Sequence, residues 1–298
     1  MELPLISVVI TCYNHGRYLA EAIDSVLVQD YKNAEIIVVD DGSIDNTKEV
    51  TAKYSFVRYV YQTNKGLSAA RNTGVTHSKG SFLLFLDADD WLLPGALSTN
   101  YQFLAEHTNA AFVSGAFKIV KAGEQEIIMQ TEVKANHYRR LLEFNYISMH
   151  ATVLYRRSVF DEFKYDVSLK ACEDYDIYLK IARKYPVIHH TEFIAIYRFH
   201  ESNMSYNTIM MMNAALETIK RQQSHLLTEA ERESFNKGIK DCKLFYSKVI
   251  YRKYFIAGQK NNPNRKAEMH VLWTNNKSLY FRFYLKKLFY VLQGIFKE

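Results

Sequence analysis

The sequence has few cysteines and few prolines. Its 298 residues include three cysteines and four prolines. The cysteines, Cys12, Cys172 and Cys242, form no CxxC pair and cannot all pair within one chain, which argues against a disulfide framework. Such cysteine usage fits a reducing cytoplasm. No Pro-rich or Gly-rich stretch indicates a disordered or collagen-like segment.

Targeting signals and long apolar runs are also absent. The chain begins MELPLISVVITCYN, without the basic segment and cleavage site of a secretory signal peptide. It has no run of about 18 apolar residues, the length that a membrane-spanning helix needs. We therefore expect the protein to be made and kept on the cytoplasmic side.

The charge is unevenly distributed along the chain. The formal net charge is +6, but residues 206–298 contain 17 Lys and Arg against 7 Asp and Glu. That segment therefore carries +10, and residues 1–205 carry −4. A basic, aromatic-rich segment suggests an anionic partner such as membrane lipid or nucleic acid, whereas an acidic segment suggests a site that binds metal.

Apolar runs alternate with amphipathic stretches over the first 90 residues. This alternation predicts an α/β fold with a mostly parallel sheet and helices on both faces. With 48% hydrophobic residues the chain can form one large domain, 1–205, followed by a helical C-terminal region, 206–298. The predicted strands are 5–11, 35–39, 56–62 and 82–87, and the predicted helices are 18–29, 48–54 and 67–75.

The middle of the chain is less regular. The segments 111–120 and 126–130 predict a hairpin around Lys121 to Glu126. His189 and His190 are expected near a helix-to-strand turn, in a structural role. Further on, the pattern predicts helices at 137–143 and 174–185 and strands at 151–155 and 193–199.

Carboxylates follow the predicted strands. Asp40 and Asp41 follow the second strand, and the run DADD (87–90) follows the fourth. Ligands of open α/β sheets bind beyond the carboxyl ends of the strands, and two aspartates at i and i+2 can share a divalent cation with phosphate oxygens. A single aspartate commonly caps a turn, but the set favours a metal and phosphate site.

Five motifs occur in order along the chain: SVVITCYN (7–14), IIVVDDGSIDNT (36–47), NKGLSAARNTG (64–74), LLFLDADD (83–90) and ACEDYDIYLKIA (171–182). Together they resemble glycosyltransferase family 2, the inverting nucleotide-sugar transferases of the GT-A fold. The resemblance covers roughly residues 5–205 and does not extend into the C-terminal region. It implies transfer of a sugar, in a hexosyltransferase-type reaction, from a nucleotide-diphosphate sugar such as a UDP-sugar to a hydroxyl of a glycan or lipid-linked acceptor.

The resemblance implies a nucleoside site at the ends of the first two strands. Thr11, Tyr13 and Asn14 are similar to the segment that meets the nucleoside, with the aromatic ring near the base. Asp41 resembles the acid that hydrogen-bonds the edge of the base, and Asp40 lies beside it.

The same resemblance implies a site for the diphosphate and a metal. Arg71 resembles the basic residue near the base or the diphosphate, although it could instead be an ordinary surface arginine on a helix. Gly66 is implied to let the backbone approach the ligand. Asp87 is implied to touch the ribose or the water shell of the metal, and Asp89 is implied to bind Mn²⁺ or Mg²⁺ directly.

A second acidic motif supplies the implied catalytic base. Asp174 is expected to take the proton from the acceptor hydroxyl, with Glu173 and Asp176 in acceptor or supporting roles. The alternative is that acids at a helix start only complement its dipole. His200, in the segment YRFHESNMS (197–205), resembles a histidine that reaches back to the metal, although a structural role is also open.

Two interpretations of the C-terminal segment stay open. Residues 278–298 mix Phe, Tyr and Leu with Arg and Lys, which suits a peripheral helix in a membrane interface. Alternatively, this helix packs on the transferase domain or on a second subunit, as in a homodimer. Nucleic-acid binding is not expected, because no helix-turn-helix or zinc pattern accompanies the basic residues.

Two rival functions share features with sugar transfer. A nucleotidyltransferase has a similar α/β sheet and acidic metal site but usually has a Gly-rich phosphate loop after its first strand, and TCYNHGRY is not such a loop. A catalytically silent protein that organises a membrane-bound glycan assembly would have no need for Asp89 and Asp174.

Overall fold

Four strands near the start of the chain form the parallel part of a sheet. The computed structural model describes residues 3–121, 124–127, 132–255 and 264–292. Every residue of the first strand is buried, as a strand with helices on both faces requires, which explains its unbroken apolar run. The strands are β1 (Ile6–Cys12), β2 (Ala34–Asp40), β3 (Arg58–Tyr61) and β4 (Phe82–Asp87).

These strands lie side by side in the order β3-β2-β1-β4, and all their pairings are parallel. The predicted α/β pattern is therefore confirmed for this half of the domain. The register places Thr11 opposite Asp87 and Cys12 opposite Asp40, so three strands end at the same edge. The connecting helices are α1 (Gly16–Leu27), α2 (Thr47–Thr51) and α3 (Leu67–His77).

The rest of the sheet is mixed, which differs from the mostly parallel sheet that the sequence predicts. The added strands are β5 (Trp91–Leu92), β6 (Phe112–Lys121), β7 (Glu124–Ile127), β8 (Val153–Arg156) and β9 (Ile188–Phe199). β8 is antiparallel to both β4 and β6, whereas β9 is parallel to β6 and antiparallel to β5. The full order is β3-β2-β1-β4-β8-β6-β9-β5, and β7 pairs with β6.

The predicted hairpin is present as β6 and β7, in which Lys121 lies opposite Glu124. The predicted second strand extends to residue 130, and its residues 128–130 lie outside the described residues. A helix that the sequence pattern did not reveal, α4 (Ala96–Glu106), follows β5. The remaining helices of this part are α5 (His137–Glu143) and α6 (Glu173–Lys184), with 3₁₀ turns at His150–Thr152 and Arg157–Asp161.

His189 and His190 are the second and third residues of β9, shortly after α6 ends at Lys184, and so lie near the helix-to-strand turn as expected. Both are buried, and burial lowers the pKa of each to about 4. The ring of His189 hydrogen-bonds the Ser114 hydroxyl at 2.9 Å, and that of His190 bonds the Asn100 side chain at 2.9 Å. Neutral imidazoles thus fill polar positions in the core.

The chain folds as two compact units. The first, Met1–Leu141 with Asn145–Glu201, contains the sheet. The second, Leu142–Phe144 with Ser202–Glu298, consists mainly of α7 (Thr208–Lys220), α8 (Glu229–Phe255), α9 (Arg265–Asn275) and α10 (Lys277–Leu292).

The second unit has its own small apolar core. Side chains of α8, α9 and α10 form it, and in the described part of the chain no helix is long and apolar enough to cross a bilayer. The end of the C-terminal segment, 293–298, lies outside the described residues. The core residues are Ile250, Tyr254, Met269, Leu272 and Phe283.

Gly74 brings α3 into close contact with β1. A Cβ atom at this position would lie 2.2 Å from Cγ1 of Val9 and 3.2 Å from its Cβ. Val9 is fully buried in the centre of the sheet, so it has no free space to move into. The absence of a side chain at Gly74 therefore sets the distance between this helix and the sheet.

We predict that Gly74→Ala destabilises the protein by about 1–3 kcal/mol through overpacking. Urea unfolding measures the effect. Thr76→Ala on the same helix is the matched control, because Thr76 is exposed and Ala is the better helix former. Equal stability of the two variants would show that α3 can shift away from β1 at no cost.

Candidate active site

The carboxyl ends of β1 and β4 are joined by side chains. The Thr11 hydroxyl donates a hydrogen bond to Oδ1 of Asp87 at 2.9 Å. Thr11 is buried, whereas the Asp87 side chain is 36% exposed. Asp87 is therefore fixed on one side and open to a ligand on the other.

Arg71 links two acidic motifs that are far apart in sequence. Its Nη2 lies 3.0 Å from Oδ1 of Asp87, and its Nη1 lies 2.5 Å from Oε1 of Glu173. The side chain is only 2% exposed, so the interpretation of Arg71 as a surface arginine is wrong. The guanidinium instead ties the end of β4 to the start of α6, with geometry that lysine could not reproduce.

Asp174 lies at the first turn of α6, next to the buried Glu173. The residue before this helix, Cys172, adopts a left-handed conformation with φ of 60°, which turns the chain sharply into the helix. The Tyr175 amide donates to Oδ1 of Asp174 at 2.7 Å. Burial, and then the charge of Glu173, raise the pKa of Asp174 to about 7, while the charge of Arg71 opposes this shift.

Asp176 is fully buried in the first turn of the same helix. Its Oδ2 lies 2.6 Å from Nζ of Lys180. In this conformation the carboxylate cannot touch an acceptor, so any role of Asp176 in the site is a supporting one.

Asp89 lies between two histidines. Its Oδ2 is 3.1 Å from Nε2 of His200 and 3.5 Å from Nδ1 of His15. Burial, followed by the charge of Asp87, raises the pKa of Asp89, and burial lowers the pKa of His200. The structure thus brings together the two predicted metal ligands, Asp89 and His200.

These side chains fit a divalent cation. The three ligand atoms of His15, Asp89 and His200 lie within 4.8 Å of one another, and imidazole nitrogen with carboxylate oxygen is a common donor set for Mn²⁺, Zn²⁺ and similar ions. The sequence motifs did not single out His15. Its place directly after the motif SVVITCYN, at the end of β1, is the signal that could have identified it.

Arg198 is a second arginine that the sequence motifs did not single out. Its Nε donates to the backbone oxygen of Asp89 at 3.0 Å, and its amide donates to Oδ1 of Asp90 at 2.9 Å. The guanidinium carbon lies 4.5 Å from the ring centre of Trp91 and 4.8 Å from that of Tyr18. Arg198 therefore fixes the backbone of the DADD loop from outside the carboxylate cluster.

The end of β1 presents an aromatic ring to solvent. Tyr13 is 50% exposed, as a ring that stacks on a base would be. Asn14 has φ of 56°, and its Oδ1 accepts a hydrogen bond from the Ile44 amide at 2.9 Å. Asn14 thus shapes the loop rather than extending freely into the cleft.

Asp40 and Asp41 are both buried at the end of β2 and already accept several hydrogen bonds. The Tyr59 hydroxyl and the Ser43 amide donate to Asp40, at 2.6 and 2.8 Å. Asp41 accepts from the side chain of Gln62 at 2.6 Å and from the amides of residues 65 and 66 at 2.9 and 2.8 Å. A carboxylate has about four acceptor positions, so Asp41 can accept one further donor.

Gly66 precedes α3 with φ of 87°, a conformation that side chains disfavour. A Cβ atom there would meet nothing within 4 Å, so the glycine is required by the turn of the backbone rather than by crowding. The Gly66 amide donates a hydrogen bond to Asp41, so this turn lies beside the end of β2.

Together, the side chains at the ends of β1, β2 and β4 and at the start of α6 suit two kinds of chemistry. Asp87, Asp89 and their neighbours concentrate negative charge where a cation can bind a diphosphate. Asp174 has a pKa near neutrality, which suits a general base. Arg71 and Glu173 connect the two parts, so the geometry of one depends on that of the other.

Comparison with known families gives a match that covers half of the chain. The model of the family described as Glycosyl transferase family 2 matches residues 7–163. Among curated proteins, Glycosyltransferase GlyA of Streptococcus pneumoniae serotype 4 is 41% identical over 106 residues, or 34% of this chain and 15% of GlyA. The chain spans 30% or less of the length of the first curated relatives that it matches.

Solved structures show the same fold at low identity. S. aureus TarS 1–349 in complex with UDP-GlcNAc has a TM-score of 0.58 and 17% identity, covering 94% of this chain and 92% of TarS 1–349. The mannosyltransferase PcManGT from Pyrobaculum calidifontis, in complex with GDP-Man and Mn²⁺, has a TM-score of 0.62 and 15% identity, covering 96% and 87%. These likenesses show the GT-A fold.

The contacts of Arg71 with Asp87 and Glu173, called the Arg71 bridge below, give a prediction about stability. Arg71→Met leaves the buried Glu173 without its counter-charge, so we expect a loss of about 3–5 kcal/mol in urea unfolding. Adding Glu173→Gln to that variant removes the buried negative charge of Glu173 and should restore at least about 1 kcal/mol of the free energy of unfolding. The single Glu173→Gln variant completes the double-mutant cycle. Additive effects of the two substitutions would contradict a direct coupling.

Proposed function

Because the chain belongs to glycosyltransferase family 2, we propose that it is an inverting transferase that moves a sugar from a nucleotide diphosphate to a hydroxyl group. The observation that carries this proposal is the Arg71 bridge, which joins Asp87 of the DADD loop to Glu173 beside Asp174. A donor-binding carboxylate and a candidate base are thereby held in one site.

The proposed donor is a UDP-sugar. The TarS structure contains UDP-GlcNAc, which supports a uridine nucleotide, whereas the PcManGT structure contains GDP-Man. In this chain the exposed ring of Tyr13 would stack on the base, and the remaining acceptor position of Asp41 would take a hydrogen bond from the base edge. Asp87, open on one side, would face the ribose or the diphosphate.

Asp174 is the proposed general base. Its carboxylate takes the proton of the acceptor hydroxyl as that oxygen forms a bond to the anomeric carbon, and the bond from that carbon to the phosphate oxygen breaks. Attack on the face opposite the leaving group inverts the anomeric centre. A pKa raised to about 7 makes this carboxylate a better proton acceptor than an ordinary aspartate.

Asp89 and His200 are the proposed ligands of a divalent cation, Mn²⁺ or Mg²⁺. Such an ion, when bound, stabilises the negative charge that grows on the departing diphosphate. The protein prepares the site by holding Asp89 between the histidines and by fixing its backbone oxygen with Arg198. The Mn²⁺ in the PcManGT structure supports this assignment.

The rival functions find less support. A nucleotidyltransferase would need a cationic phosphate loop after β1, whereas the end of β1 presents Tyr13 and the backbone turn of Asn14. A silent scaffold would have no need for the Arg71 bridge to hold Asp87 and the start of α6 in one site.

The proposed acceptor is a glycan or a lipid-linked glycan, and the helical unit is proposed to contact the membrane surface. On α10, Phe281 and Leu285 are 52% and 67% exposed. They lie on one face with Arg282 close by, a combination that suits a lipid headgroup region. Phe283 of the same helix packs in the core of the unit, so α10 also has a structural role.

Substitution of the base gives the sharpest test of the proposed reaction. We expect Asp174→Asn to lower kcat by about 100-fold or more while donor affinity changes little. In the wild type, kcat should rise with pH through about 7, since only the deprotonated carboxylate accepts a proton. Calorimetry with UDP and a transfer assay over a panel of nucleotide-sugars measure both quantities.

Asp174→Asn should also change how the stability of the protein depends on pH. The raised pKa means that the folded state keeps its proton up to about pH 7, whereas the unfolded state loses it near the usual aspartate pKa of 3.8. Asp174 therefore costs stability as pH rises through this window. Asp174→Asn should be more stable than wild type at about pH 8, with the difference vanishing below pH 3.8.

A kcat of Asp174→Asn equal to that of the wild type would rule out Asp174 as the general base.

Membrane contact is tested with the exposed face of α10. We expect Phe281→Ser with Leu285→Ser to reduce sedimentation with anionic liposomes about tenfold or more, because two apolar side chains leave the interface. Leu227→Ser is the control, since Leu227 is 81% exposed but lies outside α10. Unchanged sedimentation of the double variant would remove the membrane assignment.

A further inference from the structure

We propose that His15 is a third protein ligand of the divalent cation, beside Asp89 and His200. The inference rests on the proposed function, because the cation belongs to the donor site described above. It adds a ligand from the loop after β1, a separate segment from the one that carries His200. Three protein ligands would make the site selective among metals.

The separations of the ligand atoms suit one shared ion. Two ligands that each lie about 2.1 Å from an ion are about 3.0–3.4 Å apart when their bonds meet at about 90–109°. Oδ2 of Asp89 lies 3.1 Å from Nε2 of His200 and 3.5 Å from Nδ1 of His15. All three ligand atoms lie within 4.8 Å of one another. A small rotation of one imidazole toward the other two ligands would therefore let all three bind one ion.

The backbone around His15 is fixed independently of its ring. His15 precedes α1, and its carbonyl oxygen accepts from the Tyr18 amide at 2.9 Å. The amide of Asn14 donates to the Ser43 hydroxyl at 2.9 Å, and that of Gly16 donates to Asp45 at 2.8 Å. Because neighbouring residues anchor the loop, the imidazole of His15 faces Asp89 without serving as a helix cap.

Aromatic contacts orient both imidazoles. The rings of His15 and His200 meet edge to face with centroids 5.7 Å apart, and the ring of Tyr18 stacks on His200 at 5.4 Å. The imidazole of His15 also meets Tyr18 edge to face at 6.0 Å. This packing limits the rotation of both imidazole rings.

The donor set predicts which metals bind. Two imidazole nitrogens and one carboxylate oxygen suit Mn²⁺, Fe²⁺, Co²⁺ and Zn²⁺. Mg²⁺ prefers six oxygen ligands in a nearly ideal octahedron, so each imidazole favours a transition metal over Mg²⁺. With His15 as a ligand the protein should bind Mn²⁺ more tightly than Mg²⁺ when UDP is present.

Metal titration of the full-length protein tests the inference. Binding of MnCl₂ and of MgCl₂, each with UDP, is measured by electron paramagnetic resonance of free Mn²⁺, with Mg²⁺ as the competitor. We expect His15→Ala to weaken Mn²⁺ binding at least about tenfold, since losing only a group that supports a metal ligand already costs that much. His15→Asp supplies an oxygen instead, so it should bind Mn²⁺ but shift the preference toward Mg²⁺.

Pulsed resonance on the bound Mn²⁺ reports the ligands directly. The wild type should show ¹⁴N couplings from two imidazoles, and His15→Ala should show those of one. His225→Ala is the control, because it removes an exposed histidine of the helical unit. Thermal melts establish that each variant is folded.

Two outcomes would overturn the inference. If His15→Ala keeps the wild-type Mn²⁺ affinity and both couplings, His15 is only a hydrogen-bonding neighbour of Asp89. If the wild type binds no Mn²⁺ in the presence of UDP yet transfers sugar in EDTA, the metal assignment fails while sugar transfer stands. Failure of the proposed function would appear differently, as Mn²⁺ binding without transfer from any nucleotide-sugar.

Discussion

The buried guanidinium of Arg71 is the interaction on which the site depends. It has 2% exposure and bonds to both Asp87 and Glu173. A charged group at this depth is stable only with opposite charges in good geometry, and the buried carboxylate of Glu173 likewise depends on the guanidinium. The bridge therefore fixes the end of β4 and the start of α6 at one distance, and Asp174, at the start of α6, takes its position from that arrangement.

The surplus of negative charge explains the rest of the site. Burial raises the pKa values of both Asp89 and Asp90; the charge of Asp87 adds to both shifts, and the charge of Asp89 adds to that of Asp90. Arg198 and the two histidines lie around this surplus without cancelling it. Carboxylates gathered in this way favour a bound cation, which is one support for the proposed metal site.

Sequence patterns predicted the first half of the fold better than the second. The strands β1, β2 and β4 are largely buried, so their apolar runs stand out from the helices between them. The helix α4 was missed, and β8 begins only after a 3₁₀ turn. Pairing direction is the harder part, because whether β8 runs parallel or antiparallel to β4 depends on the route of the chain and leaves no periodicity in the strand itself.

The sequence by itself determined the α/β class, the family and the gathering of acidic residues at strand ends, because buried strands and short motifs are local features. Tertiary structure alone decided that Arg71 is buried and bonds Glu173, 102 positions further along the chain, and that His15 lies beside Asp89. Such pairings come from the register of strands and the packing of helices. They depend on distances in space, which spacing along the chain does not record.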